Sequence, residues 1–246
     1  MNVEELRSRF ATILLEDSAT YKSDRPLSSH VKSEASVLIL LDQREDNWYV
    51  FLTLRSQNLR KHGGEVSFPG GKREVGDRDA VETALRETEE ETGLQIDATE
   101  LVGVLRPILS KFMILIHPVV CVLRRRFVPK PNVEEVDRCF WVPLRGFLED
   151  EGHYVVKAGI YRMHRFDFGE ETIFGLTAYL CILTAMIVFD VYPKFRLFRE
   201  DDRKYRENDV AVGDAVRFEF DANAVVDKKV AVHMDDYVAA GRVGKI

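Results

Sequence analysis

The order of apolar runs and helical patterns along this 246-residue chain predicts an α+β fold, a mixed β-sheet flanked by α-helices. Three observations carry that expectation. Strand-like runs at 35–41 and 48–54 bracket the polar turn DQREDN, which reads as a hairpin. A helical pattern over 79–92 stops at Gly93, a residue suited to the left-handed turn that ends helices. Further strand-like runs at 101–105, 112–123 and 139–142, then a second hairpin from 154–156 and 160–166, lead into an apolar helix over 175–189.

The flanks differ in texture. Residues 1–33 read as a short amphipathic helix and a polar linker, 34–190 as the compact domain, and 191–246 as a charged C-terminal extension containing REDDRKYRE. The N-terminus carries acids early and no long apolar run, so no secretory signal is expected. The run IFGLTAYLCILTAMIVF has about the length of a minimal membrane span. It stands alone and contains Gly175, Thr177 and Thr184, so a buried core helix and no membrane span are expected. The formal net charge of −6 implies no general attraction to nucleic acid or anionic membranes. A phosphate-bearing ligand would therefore be met by local positive charge or by metal. Cys121, Cys139 and Cys181 lie among apolar neighbours without CxxC spacing, which suits buried reduced thiols. His117, inside an apolar strand, reads as structural, and His153 and His164 carry no signal.

The chemistry concentrates in ALRETEEETGL, 84–94. At about 100° per residue, Glu90 lies roughly −60° and Glu91 roughly +40° from Glu87, so three carboxylates share an arc of about 100°. Val81, Ala84, Leu85, Thr88 and Thr92 fall on an adjacent arc that can pack on a sheet, and Glu82 and Glu89 project to a third side. Like charges so placed repel by a few tenths of a kcal/mol each, roughly. A hard divalent cation such as Mg²⁺ or Mn²⁺, which prefers oxygen ligands, would offset that; a solvated acidic face is the other possibility. Arg86 precedes the cluster and could orient one carboxylate. Phe68-Pro69-Gly70-Gly71 supplies a tight turn before the helix, where two glycines permit close backbone approach.

Gly71 followed by Arg86-Glu87-Thr88-Glu89-Glu90-Glu91-Thr92-Gly93-Leu94 resembles the Nudix box, whose second half is R-E-U-x-E-E-x-G-U. Thr88 stands where a bulky apolar residue is usual. One extra residue separates the glycine from the arginine, with Asp77 near the expected acid. Leu52-Thr53-Leu54-Arg55-Ser56, Arg60, Gly64 and Phe68-Pro69-Gly70-Gly71 resemble the signature of the coenzyme A diphosphatase branch, L-T-x-R-S/A-x(3)-R-x(3)-G-x(3)-F-P-G-G, and that branch carries the lengthened box. Asn132–Val136 and Gly175–Ala178 also look like family pieces, so the resemblance covers residues 35–190.

The resemblance implies a Nudix fold, an α/β/α sandwich, and Mg²⁺- or Mn²⁺-dependent hydrolysis of the diphosphate of coenzyme A or an acyl-CoA to 3′,5′-ADP and 4′-phosphopantetheine. It implies Glu87 and Glu91 as metal ligands and Glu90 as a third ligand or the water-activating base. Glu135, in a loop before a strand, is a further candidate for ligand or base. Arg86 joins the catalytic group by motif match. Arg55 and Arg60, with Gly70 and Gly71, are the candidates for substrate binding, Arg being suited to bidentate phosphate contact. Rival activities are hydrolysis of another nucleoside diphosphate compound, such as ADP-ribose or a dinucleotide, and a non-catalytic Nudix-fold binding module. Gly244-Lys245-Ile246 looks like a degenerate peroxisomal address, which would engage the import receptor; cytosol and mitochondrion are the alternatives.

Overall fold

The computed structural model describes residues 1–11, 31–59, 61–110, 112–158 and 161–197. Its centre is a mixed sheet. Strand β1 (Ser33–Arg44) and β2 (Asn47–Arg55) form the expected hairpin, pairing from Leu41↔Val50 to Arg44↔Asn47. The chain continues through β3 (Val66–Ser67), β4 (Gly70–Lys72), helix α2 (Ala80–Thr92), β5 (Thr99–Val104), β6 (Ile108–Leu109), β7 (Ile114–Leu123) and β8 (Val136–Pro143). The sheet order is β3-β2-β1-β7-β5, with β4 on β1, β6 on β7 and β8 on β2. Strands β1 and β7 run parallel; the other pairs are antiparallel. A second sheet, β11-β10-β9, comprises β9 (His153–Ala158), β10 (Tyr161–Phe168) and β11 (Glu171–Phe174).

Alternation along β1 explains the layering. Ile39 and Leu41 face one core with Trp48, Val50, Leu52, helix α1 (Val3–Phe10) and helix α3 (Gly175–Phe189). Leu38 and Leu40 face the other core with Phe51, Val119, Cys121 and the α2 residues Ala80 and Ala84. A strand covered on both faces reads as a continuous apolar run, as SVLILL does. The expected α/β/α sandwich is therefore present.

Several boundaries differ from expectation for physical reasons. The apolar run 173–189 is split: Ile173 and Phe174 end β11, and Gly175, at φ 64°, turns the chain into α3. That helix is buried on most sides, and no helix among the described residues is long and apolar enough to cross a membrane. Helix α1 carries a capping box from Asn2 and Glu5, and its Leu6 and Phe10 are fully buried in the main core. Arg7 donates to the Leu101 carbonyl at 2.6 Å and Arg9 to that of Val188 at 2.9 Å. The N-terminal helix is thus part of the sandwich itself. Strands β3, β4 and β6 are two or three residues long and are made by pairing rather than by periodicity. The C-terminal run REDDRKYRE and the terminal tripeptide lie outside the described residues.

The expected thiols behave as anticipated. Cys121 and Cys181 are buried and free, and Cys139 is half-buried and free. His117 is buried in β7 with Nε2 3.5 Å from Glu34, a structural position.

Candidate active site

Helix α2 is fixed at both ends. Asp79 caps its start by accepting from Glu82 N at 2.9 Å. Gly93 ends it at φ 73°, its N–H donating to the Glu89 carbonyl. The next carbonyls are claimed by another loop: Asn132 N donates to Glu91 O and Lys130 N to Thr92 O. The threonines facing the sheet satisfy themselves, Thr88 Oγ1 donating to Ala84 O and Thr92 Oγ1 to Thr88 O, each at 2.6 Å. That is how Thr88 occupies a buried position where the motif usually has a large apolar side chain.

The three glutamates share one side of α2, as the helical geometry predicts, yet they stand at three depths. Their side chains are 3% exposed for Glu91, 17% for Glu87 and 56% for Glu90. The floor beneath them is β4. Gly71 pairs with Ser36 and Gly70 with Val37. A Cβ on Gly71 would stand 2.3 Å from Glu87 Oε2, and one on Gly70 2.3 Å from the Ser36 carbonyl. Gly70 N donates to Glu91 Oε2 at 3.1 Å. The two glycines therefore seat the glutamates against bare backbone.

Arg86 is saturated by protein. It donates to Asp77 through Nε at 2.9 Å and Nη2 at 3.0 Å, to Glu87 at 3.1 Å, to Glu90 at 3.3 Å and to the Lys72 carbonyl at 3.2 Å. Asp77, buried, completes the clamp by also accepting from Thr83 Oγ1 and Glu74 N. The Arg86 guanidinium holds the Asp77 carboxyl down at about 2, and Asp77 in turn holds Arg86 above its ordinary range. Sequence reasoning had left Asp77 without a role; its place in the lengthened box was the available signal.

Two further elements reach the glutamates. Arg55, ending β2, places Nη1 3.7 Å from Glu91 Oε1. A register shift between Leu54 and Arg55 in the β2–β8 pairing marks this point, a device that re-aims side chains beside functional sites. Immediately after it, Ser56 N donates to the Glu135 carbonyl at 2.9 Å. Glu135 lies in the turn before β8, as expected, and its charge acts on both Glu87 and Glu91. Cys139 on β8 feels the charge of Glu91; burial first, and that charge second, push its thiol up to about 11. Sequence alone gave no sign that Cys139 neighbours the carboxylates. Arg60 lies outside the described residues, and Lys61 is exposed.

Burial pushes Glu91 up to about 7; the Gly70 N–H and Arg55 pull it down, and Glu135 and Glu87 add repulsion. Glu87 is also raised, mainly by burial, against the pull of Arg86 and with repulsion from Glu90 and Glu135. The site thus holds more negative charge than Arg55 and Arg86 offset. Its donors are carboxylate oxygens, which suit a hard divalent ion. Among the described residues no three His, Cys, Asp or Glu side chains already surround a single point. Mg²⁺ usually keeps several waters and takes one or two carboxylates, so an open acidic face fits it.

A loop–helix–loop with two glycines under a glutamate helix, carried on an α/β/α sandwich, defines a class. The NUDIX domain profile matches residues 32–162, and the chain belongs to the Nudix family of hydrolases. Among curated proteins it is 41% identical over 180 residues to the Caenorhabditis elegans peroxisomal coenzyme A diphosphatase ndx-8, covering 71% of this chain and 77% of that protein. It is 38% identical over 180 residues to the mouse peroxisomal coenzyme A diphosphatase NUDT7, covering 69% and 76%. It is 36% identical over 149 residues to the mouse mitochondrial coenzyme A diphosphatase NUDT8, covering 55% and 69%.

Proposed function

We propose that this Nudix hydrolase cleaves the diphosphate of coenzyme A and acyl-CoA with Mg²⁺ or Mn²⁺, giving 3′,5′-ADP and 4′-phosphopantetheine or its acyl form. One observation carries the proposal. Arg55 belongs to the Leu52–Gly71 block and Glu91 to the box, and they meet at 3.7 Å. That approach supports reading the block that resembles the substrate signature and the glutamate helix as parts of one site. The names of the relatives, coenzyme A diphosphatases, support the same substrate.

Glu87 and Glu91 are the proposed metal ligands, with Glu90 at the exposed rim as a third. When bound, the cation supplies Lewis-acid stabilisation of phosphoryl charge and a more acidic water. The chain's own residues do the rest. Arg86, braced by Asp77, holds Glu87 and Glu90 in place. Arg55, with Arg60 as a second candidate, meets the diphosphate oxygens. Glu135 takes the proton of the attacking water, because Glu90 is engaged by Arg86 whereas the charge of Glu135 acts on both Glu87 and Glu91. Water attacks one phosphorus, and the bridging P–O bond breaks with its oxygen leaving on the other phosphate. Such transfer rests mainly on positioning and electrostatics.

The test is turnover of coenzyme A, ADP-ribose and NADH with Mg²⁺ or Mn²⁺. Coenzyme A should be preferred, Glu87→Gln should lose nearly all activity, and Glu135→Gln should lose more kcat than Glu90→Gln. Absence of coenzyme A or acyl-CoA turnover refutes the substrate. A peroxisomal location, through the import receptor and Gly244-Lys245-Ile246, accords with the names of two relatives. Appending one residue after Ile246 should release the protein from peroxisomes; unchanged imaging refutes that address.

A further inference from the structure

Glu91 is the most buried carboxylate of the site, and among the described residues the cation paired with it is Arg55, from a different element. The pair is unlike the one Arg86 makes. Arg86 is braced by Asp77 and the Lys72 carbonyl, so it cannot leave without breaking several bonds. Arg55 approaches Glu91 at 3.7 Å, beyond good hydrogen-bond distance, and its side chain is 27% exposed. Glu91 is meanwhile anchored independently by the Gly70 N–H at 3.1 Å. Glu91 can therefore keep its place when Arg55 swings away.

We propose that Arg55 is an exchangeable counter-ion. In the metal-free protein it shields Glu91; when a divalent cation takes Glu91, Arg55 is displaced and its fork becomes available to the diphosphate. One arginine would then serve two anions in turn. Metal binding would build part of the substrate site, making ordered addition, metal before substrate, a property of the fold. The geometry suits the exchange. Arg55 stands at the register shift ending β2, and Ser56 beside it is bonded to the Glu135 carbonyl, so the backbone is held while the side chain moves. The inference rests on the proposed metal-dependent hydrolysis and adds a role that a simple substrate-binding arginine lacks.

The two roles make opposite demands on one substitution. Removing a cation that competes for Glu91 should tighten metal binding, while removing a diphosphate contact should weaken substrate binding. Mn²⁺ affinity is measured on the full chain without substrate, from the paramagnetic resonance signal of free Mn²⁺. KM for coenzyme A is measured at saturating Mn²⁺. Arg55→Ala should bind Mn²⁺ about twofold to fivefold more tightly, the range a loosely set ion pair gives, and raise KM at least tenfold. Arg55→Lys should return Mn²⁺ affinity to the wild-type value and recover KM only in part, since lysine lacks the planar fork. Unchanged or weaker Mn²⁺ binding in Arg55→Ala overturns the exchange, as does an unchanged KM at saturating metal. Glu87→Gln separates this failure from failure of the function: if wild type and Glu87→Gln bind Mn²⁺ alike, the metal site itself is wrong.

Discussion

Replacing Glu91 by Gln should stabilise the metal-free protein while abolishing its chemistry, and the size of the effect follows from burial. The Glu91 side chain is 3% exposed, and burial lifts its carboxyl from 4.5 to about 7 despite the Gly70 N–H and Arg55. At ~1.4 kcal/mol per pH unit, that rise corresponds to about 3 kcal/mol. The sign is fixed by proton counting. Between pH 4.5 and 7 the folded protein keeps a proton that the unfolded chain has lost, so stability falls as pH rises through that window. Glu87, also raised by burial, acts in the same direction. Gln keeps an acceptor for the Gly70 N–H and carries no charge, and the pull of Arg55 is already contained in the net rise to about 7. Urea denaturation without metal should therefore find Glu91→Gln within about 1 kcal/mol of wild type at pH 5 and about 3 kcal/mol more stable at pH 8. Saturating Mg²⁺ should raise wild-type stability at pH 8 and leave Glu91→Gln nearly unchanged. If the metal-free wild type is no less stable than Glu91→Gln at pH 8, burial is not what governs this carboxylate.

Two substitutions probe the scaffold around it. Gly71→Ala would put a methyl 2.3 Å from Glu87 Oε2; it should cut kcat at least a hundredfold, on the order of losing one positioned catalytic group, and lower the melting temperature by only a few degrees, roughly. Full activity would mean that Glu87 need not lie against the β4 backbone. Asp77→Asn removes the charge that braces Arg86; with the Asp77 carboxyl moved from 3.8 to about 2, the loss should be about 2 kcal/mol at pH 7. That contribution is present above pH 4 and fades as pH falls through 2, so wild type and Asp77→Asn should converge in acid denaturation.

Much of the site was legible before the fold. A period of 3.6 residues places Glu87, Glu90 and Glu91 on one arc, Gly93 stops their helix, and Phe68–Gly71 announces a close backbone approach; each is a local property of the chain. The order of elements likewise points to a mixed sheet flanked by helices. Local pattern could not rank the glutamates, because depth is set by what covers a side chain. Glu91 is deepest, held against β4 by the Gly70 N–H and reached by Arg55 from the end of β2, and Glu90 stays at the rim beside Arg86. Nor could it give Asp77 its partner nine residues away, or bring Cys139 and Glu135 to a helix more than forty residues earlier. The short strands β3, β4 and β6 exist only as partners of longer ones.

The sequence by itself determined which residues carry charge, which face of α2 they share, and the family to which the chain belongs. Only the tertiary structure decided how that charge is distributed: Arg86 locked by Asp77, Arg55 loosely set on Glu91, and Glu91 withdrawn from water. The division has a physical reason. Composition and spacing fix the groups and their local directions, whereas desolvation and long-range pairing depend on which distant backbone comes to lie beside them.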